Sequence, residues 1–291
     1  MDEKKWLAAQ FEANRPHLRA VAYRMLGSAN EAEDAVQEGW LRLNRTDASG
    51  IDNLGGWLTT TVARVCLDIL RSRRSRREDP LDARGPEPAA GPEARLDPEH
   101  EAILADSVGV ALLVVLQTLA PAERVAFVLH DMFDLSFDEI APIVGRSSTA
   151  ARQLASRGRR RVQGRAQAAS DPDVASQRRI VDAFLAATRN GDFEALVALL
   201  DPDVALRADP TARQAGAARD AHGAAAVATA LLGRRGAQPV LVDGAVGLFV
   251  APGGRLRVVL RLAFREGRIA GIDAIADPEH LRQITLAVLR D

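Results

Sequence analysis

Between Ile143 and Ser170 the chain carries Arg146, Arg152, Arg157, Arg159, Arg160, Arg161 and Arg165 and not one Asp or Glu. A run of one sign can neutralise phosphates and release their counterions. On a helix, Ala151, Leu154, Ala155, Gly158 and Val162 form an inward row, which leaves Arg152, Arg157, Arg160 and Arg161 outward. The residues just ahead supply a tight turn. Ser136 and Glu139 have the spacing of a capping box, Gly145 can end the short helix it opens, and Ser147 or Ser148 can cap the next one. Helix, turn, helix is a layout that sets the first turn of its second helix in a major groove and the later arginines on phosphates. Pro142 lies inside the short helix and is expected to bend it.

Two further groups could do chemistry. Arg71, Arg73, Arg74, Arg76 and Arg77 form a second basic run, suited to a nucleic-acid backbone. Upstream of it Asp34, Gln37, Glu38 and Leu41 line one helix stripe, acidic and amphipathic, where DNA would be repelled. Such a stripe suits a protein partner, and a solvated face fits the same spacing. Acid–base candidates near the C-terminus are Asp203, Asp209, His222, Asp243, Asp273, Asp277 and His280, with no paired spacing that singles one out. No catalytic residue, metal site or cofactor is assigned.

The elements that must position these groups follow from pattern. With 291 residues the chain has room for about two domains, at roughly 150 residues each. Its net charge of −1 means that any nucleic-acid surface is local, and all but Lys4 and Lys5 of its 38 cationic side chains are arginine, the planar donor that suits phosphates and guanine edges. The lone Cys66 excludes an intrachain disulfide framework and points to a reducing compartment, with the cytoplasm as the expected location. The opening MDEKKWLAAQFEANR lacks a signal-peptide core, and no apolar run of about 18 residues suggests a membrane span.

Residues 1–78 read as three helices without Pro or Gly in their longest stretches. The first carries Leu18, Val21, Ala22 and Met25 on one face. The second, from near Asn30, lines up Ala32, Ala35, Val36, Gly39, Trp40 and Leu43. The third, from Leu54, buries Leu58, Val62, Val65 and Ile69. Residues 79–105 form an acidic linker rich in Pro and Gly, and 106–166 are helical again, with Pro121 opening one helix. Over 172–291 helices meeting at Asn190-Gly191 precede alternating segments cut by Asp243-Gly244, Gly253-Gly254 and Glu266-Gly267, so this part reads as helices on an antiparallel sheet.

YRMLGSANEAEDAVQEGWLRL, GGWLTTTVARVCLDILRSRRSR and RVAFVLHDMFDLSFDEIAPIVGRSSTAARQLASRGRRRV, in that order, resemble regions two and four of an extracytoplasmic-function RNA polymerase sigma factor. With the tail, the whole chain resembles the subgroup of these factors fused to a SnoaL-like domain. The resemblance implies a multidomain protein of two all-α sigma domains, a helical region 2 and a helix-turn-helix region 4, plus an α+β SnoaL-like cone. It implies that Asp34, Gln37, Glu38, Trp40 and Leu41 bind core RNA polymerase. The melted minus-ten strand would be held by Asn44, Arg45, Thr46, Asn53, Trp57, Thr60, Arg64, Arg71 and Arg74. Ser147, Ser148, Thr149, Arg152, Arg157, Arg160 and Arg161 would meet the minus-thirty-five element. In the subgroup the tail is taken to regulate activity in cis, and Asp277, Pro278, Leu281 and Ile284 are the expected contacts. Partners are then core RNA polymerase and promoter DNA, without a membrane; a ligand for the tail pocket is left open. The alternative is a helix-turn-helix regulator whose α+β domain senses a small ligand, a protein with no need of the first domain's clamp stripe. A more remote reading is a SnoaL-like enzyme with a DNA-binding passenger.

Overall fold

The computed structural model describes residues 3–46, 50–78, 109–163 and 172–289, so the expected linker 79–105 and residues 164–171 lie outside the described residues. Two compact units result, Met1–Arg159 and Arg160–Asp291.

In the first unit the expected three helices form: α1 (Glu3–Leu26), α2 (Ala29–Leu43) and α3 (Leu54–Glu78). Helix α1 runs through Pro16, a proline that the sequence reading passed over. Ser28 caps α2 and Asn53 caps α3, its Oδ1 accepting from the Gly56 N–H at 2.9 Å. The helical steps place Leu18, Val21, Met25, Val36, Leu43, Leu58 and Val62 in a common core. Helices α2 and α3 approach closely at Gly39, where a Cβ would lie 2.8 Å from Val62 Cγ2. Ile69 is only half-buried; Leu70 takes the inward position instead.

Next among the described residues come α4 (Val110–Thr118) and α5 (Pro121–Phe127), then a π-helical turn over Val128–Met132 that periodicity did not foretell. Helices α6 (Phe137–Val144) and α7 (Ser148–Gln163) follow. The capping box is present, with Ser136 Oγ accepting from the Glu139 N–H and Glu139 accepting from the Ser136 N–H at 2.9 Å. Gly145 takes the left-handed conformation (φ 68°) that a helix stop of this kind requires. Pro142 sits exposed inside α6 without ending it. Both halves of this unit pack together: the buried Arg124 of α5 donates to the Met25 carbonyl at 2.8 Å, and Arg71 of α3 donates to the Val144 carbonyl at 3.4 Å.

The second unit places α8 (Pro172–Asn190), α9 (Phe193–Leu199) and α11 (Ala224–Leu231) on a sheet of β1 (Leu200–Ala208), β2 (Ala221–His222), β3 (Ala237–Val242), β4 (Ala245–Val250), β5 (Val258–Arg265), β6 (Arg268–Ile275) and β7 (Leu286–Ala287). Short helices α10 (Pro210–Gln214) and α12 (Pro278–Gln283) complete it. The α+β class holds, as a SnoaL-like architecture requires, but the sheet is mixed rather than antiparallel. Its order is β2-β1-β6-β5-β4-β3-β7, and β1 pairs in parallel with β6 through Leu206 and Ile272. The hairpin signals hold at Asp243-Gly244 (φ 52° and 93°) and Glu266-Gly267 (φ 50° and 75°), both with paired positive φ angles. Val181, Phe184, Leu196, Val227, Val246 and Ile269 form the core between helices and sheet. Within this same unit the Val288 N–H donates to the Val162 carbonyl at 2.9 Å, satisfying an acceptor in the last turn of α7.

Gly158 lets α7 lie against α5, since a Cβ there would sit 2.9 Å from Phe127 Cβ and 3.1 Å from the Glu123 carbonyl oxygen. Overpacking costs about 1–3 kcal/mol and the gain in helix propensity returns about 1. Gly158→Ala should therefore destabilise the first unit by up to about 2 kcal/mol in denaturant unfolding, and a raised midpoint would refute the close approach. Burial pushes the Cys66 thiol up to about 12, so native protein at pH 8 should resist alkylation until denaturant is added.

Candidate functional site

Two adjoining clefts open on the outer face of α3. The first, of about 340 Å³, is lined by Arg42, Arg45, Thr46, Trp57, Thr61 and Arg64. The second, of about 360 Å³, is lined by Asn53, Gly56, Trp57, Thr60, Thr61, Arg64 and Glu139. Of the residues expected at a melted strand, Arg45, Thr46, Asn53, Trp57, Thr60 and Arg64 thus converge. Trp57, Thr61 and Arg64 fall at successive three- and four-residue steps of α3, which is why both clefts share them. Three cations and one indole face suit a chain of phosphates carrying a base that can stack. Asn44 is exposed just beyond α2 and donates to the Trp40 carbonyl at 3.0 Å. Arg74 is exposed farther along α3, whereas Arg71 is drawn to the Val144 carbonyl. Arg73 of the same basic run turns inward to Glu31 and the Leu26 carbonyl. Arg42 and Thr61 were missed; the signal was present, one helical turn from Glu38 and from Trp57 respectively.

The stripe expected to meet the polymerase clamp lies on α2. Asp34, Gln37 and Leu41 are exposed, Leu41 by 43%, which is large for a leucine. Glu38 is half-buried and accepts from Arg42 Nε at 2.9 Å, joining the stripe to the first cleft. Trp40, counted both in the inward row and in the contact set, is half-buried with its ring centroid 4.9 Å from that of Phe11.

On α7 the inward row forms as read: Ala151, Ala155, Gly158 and Val162 are buried and Leu154 half-buried. Arg152, Arg157, Arg160 and Arg161 are exposed. Ser147 is the cap, its Oγ accepting from the Ala150 N–H at 3.2 Å, and Thr149 is exposed beside it. The Ser148 hydroxyl donates to Asp138 of α6, and the Arg152 guanidinium lies 5.3 Å from the centre of the Phe137 ring. Arg159, half-buried and outside the outward set, pairs with Asp131 at 2.6 Å.

Residues 10–76 match the Sigma-70 region 2 model and residues 109–162 the Sigma-70, region 4 model. The chain is 38% identical, over 93% of its own length and 92% of the relative's, to the ECF RNA polymerase sigma factor SigJ of Mycobacterium tuberculosis. The chain belongs to the extracytoplasmic-function RNA polymerase sigma factors. It is also 36% identical to the probable ECF RNA polymerase sigma factor SigI of that species, over 97% of each chain. The crystal structure of Mycobacterium tuberculosis SigJ aligns with 94% of this chain and 97% of its own, at 34% identity and a TM-score of 0.45. In this sigma factor α1–α3 belong to region 2 and α4–α7 to region 4. The region 2 match sets aside the ligand-sensing repressor, and no described helix is long and apolar enough to cross a membrane.

In the tail of the sigma factor several of the acid–base candidates hold the backbone. Burial pushes the Asp209 carboxyl up, but the N–H groups of Asp277, Ala212 and Ala276 outweigh it and hold it below the usual carboxylate range. Asp277 caps α12 through the N–H groups of Glu279 and His280. Asp243 accepts from the Thr285 N–H at 2.8 Å and from Arg261 at 3.0 Å. Asp203 and His222 are exposed, Asp273 is half-buried, and His280 is exposed with Nδ1 3.8 Å from Asp277. Of the expected regulatory contacts, Pro278 is exposed, Asp277 and Leu281 are half-buried, and Ile284 is buried. Asp209 ties α10 to the segment after β6, so Asp209→Ala should destabilise the second unit by about 1–2 kcal/mol. Because its folded value is depressed, its contribution is present above the unfolded value of about 3.9 and lost as pH falls through the folded one. Wild type and Asp209→Ala should therefore converge in stability in acid; a constant gap down to pH 2 would refute the role.

Proposed function

We propose that this chain is the promoter-specificity subunit of RNA polymerase: it binds the core enzyme, directs it to a two-element promoter and assists strand opening. The clamp contact is Asp34, Gln37, Glu38, Trp40 and Leu41. Asn44, Arg45, Thr46, Asn53, Trp57, Thr60, Arg64, Arg71 and Arg74 take the minus-ten strand, joined by Arg42 and Thr61. Ser147, Ser148, Thr149, Arg152, Arg157, Arg160 and Arg161 take the minus-thirty-five duplex. Residues 1–78 and 106–166 are the two sigma domains, 79–105 the linker and 172–291 the SnoaL-like domain. The observation that carries this reading is the convergence of Arg42, Arg45, Trp57 and Arg64 on one face, next to an exposed amphipathic stripe and in one chain with a basic helix-turn-helix.

The tail acts on the sigma domains in cis rather than by chemistry of its own. Supporting this, Asp209, Asp243 and Asp277 are engaged in backbone contacts. The regulatory surface is Asp277, Pro278, Leu281 and Ile284, with the burial of Ile284 making Leu281 the better probe. The protein works where core polymerase works, in the cytoplasm.

Reconstituted transcription with core polymerase tests the reading. Gln37→Ala with Leu41→Ala should weaken core binding by about tenfold, on the order of 1.4 kcal/mol, with helicity unchanged. Arg160→Ala should weaken all minus-thirty-five sequences alike and lower the salt slope by about one. Leu281→Ala should change transcription per bound polymerase without changing duplex affinity. Wild-type protein that neither binds core nor supports promoter-dependent initiation would overturn the assignment.

A further inference from the structure

The helix-turn-helix holds a polar contact that none of the preceding roles uses. Asp138 stands in the first turn of α6, exposed, and its Oδ1 accepts the hydroxyl proton of Ser148, the first residue of α7, with 2.5 Å between the oxygens. The neighbouring groups are otherwise committed. Ser147 accepts from the Ala150 N–H as the cap of α7, and Glu139 is held by Ser136 in the capping box. The Asp138–Ser148 bond is therefore not a cap of either helix; it links the two helices at the end of α7 that would enter a groove.

A serine hydroxyl has one proton and two lone pairs, whereas a carboxylate has only lone pairs. With its proton committed to Asp138, Ser148 can present only lone pairs outward. In the major groove adenine N6 and cytosine N4 offer protons, while guanine and thymine show acceptors, N7 and O6 or O4. An oxygen obliged to accept is matched by the first pair and repelled by the second. We infer that Asp138 is a positioning residue that fixes Ser148 as an obligate acceptor, so that one strand position of the minus-thirty-five element is restricted to an amino-bearing base, adenine or cytosine. This rests on the reading of α7 as the groove-entering helix and adds to it a polarity that the stripe of arginines cannot supply.

The test uses full-length protein in reconstituted holoenzyme on a promoter library randomised across the minus-thirty-five element, with transcripts sequenced. Wild type should favour adenine or cytosine at one position by about fivefold to tenfold. Ser148→Ala and Asp138→Ala should both flatten that same position to less than about twofold and leave the others in place. The double variant should add nothing to either single change. Ser148→Thr, which keeps the hydroxyl, should retain the preference, and Asp138→Asn, which can donate as well as accept, should relax it in part. Thermal melting of each variant shows whether it folds, and the Thr and Asn variants carry the test if an alanine variant does not.

Three outcomes would overturn the inference: a wild type with no such position, a position that responds to Asp138 but not to Ser148, or preferences unchanged in both variants. Arg152→Ala separates this from failure of the underlying reading. If it alters a position while the Ser148 and Asp138 variants do not, α7 still reads DNA and only the polarity inference falls. If none of these variants alters any position, α7 does not read the element at all.

Discussion

The C-terminus of α1 governs the arrangement of the first unit. A helix end leaves carbonyls without intrahelical donors and carries the negative pole of the helix dipole, so it attracts cations. Here two arginines from distant segments meet it: Arg124 of α5 donates to the Met25 carbonyl and Arg73 of α3 to the Leu26 carbonyl. Arg73 also pairs with Glu31 of α2. One helix end therefore gathers α2, α3 and α5. A guanidinium as buried as that of Arg124 is costly unless hydrogen-bonded, which makes this docking specific rather than a generic apolar contact.

The clefts on α3 follow from that anchoring. Once Arg73 is turned toward α1 and α2, the opposite side of α3 presents Trp57, Thr61 and Arg64. Arg42 completes the wall while donating to Glu38, so the same side chain borders both the exposed stripe of α2 and the first cleft. The two surfaces share the turn of α2 that bears them.

Much of this was legible because its causes are local. Helical steps gave the buried faces of α1, α2 and α7; the Ser136 to Glu139 spacing and Gly145 gave the turn; Asn190-Gly191, Asp243-Gly244 and Glu266-Gly267 gave the breaks in the tail. What escaped depends on partners far along the chain. Strand β1 opens with Leu200, Asp201 and Pro202, a poor strand signal, and it is held by parallel pairing with β6 some sixty residues later. The π-helical turn at Val128–Met132 has no periodic signature distinct from an α-helix. Pro16 is tolerated in a helix whose other residues bury Leu18, Val21 and Met25 at no exposure, so packing outweighs the lost backbone bond. The contact of Asp138 with Ser148 is likewise visible only when α6 and α7 are in place.

Arginine content by itself therefore says little about where nucleic acid binds. The same side chain serves as a structural donor at Arg124 and Arg73, pairs with Asp131 at Arg159, and lines an open cleft at Arg45 and Arg64. Its planar fork suits a backbone carbonyl, a carboxylate and a phosphate alike. The role follows from where the fold places the guanidinium: a helix end within reach draws it inward, and an exposed helix face keeps it toward solvent. On α7 the difference is one residue, since Arg159 faces Asp131 while Arg160 and Arg161 point to the exposed side. A charge count over the segment treats the three as equal, and the helical rotation of about 100° per residue is what separates them.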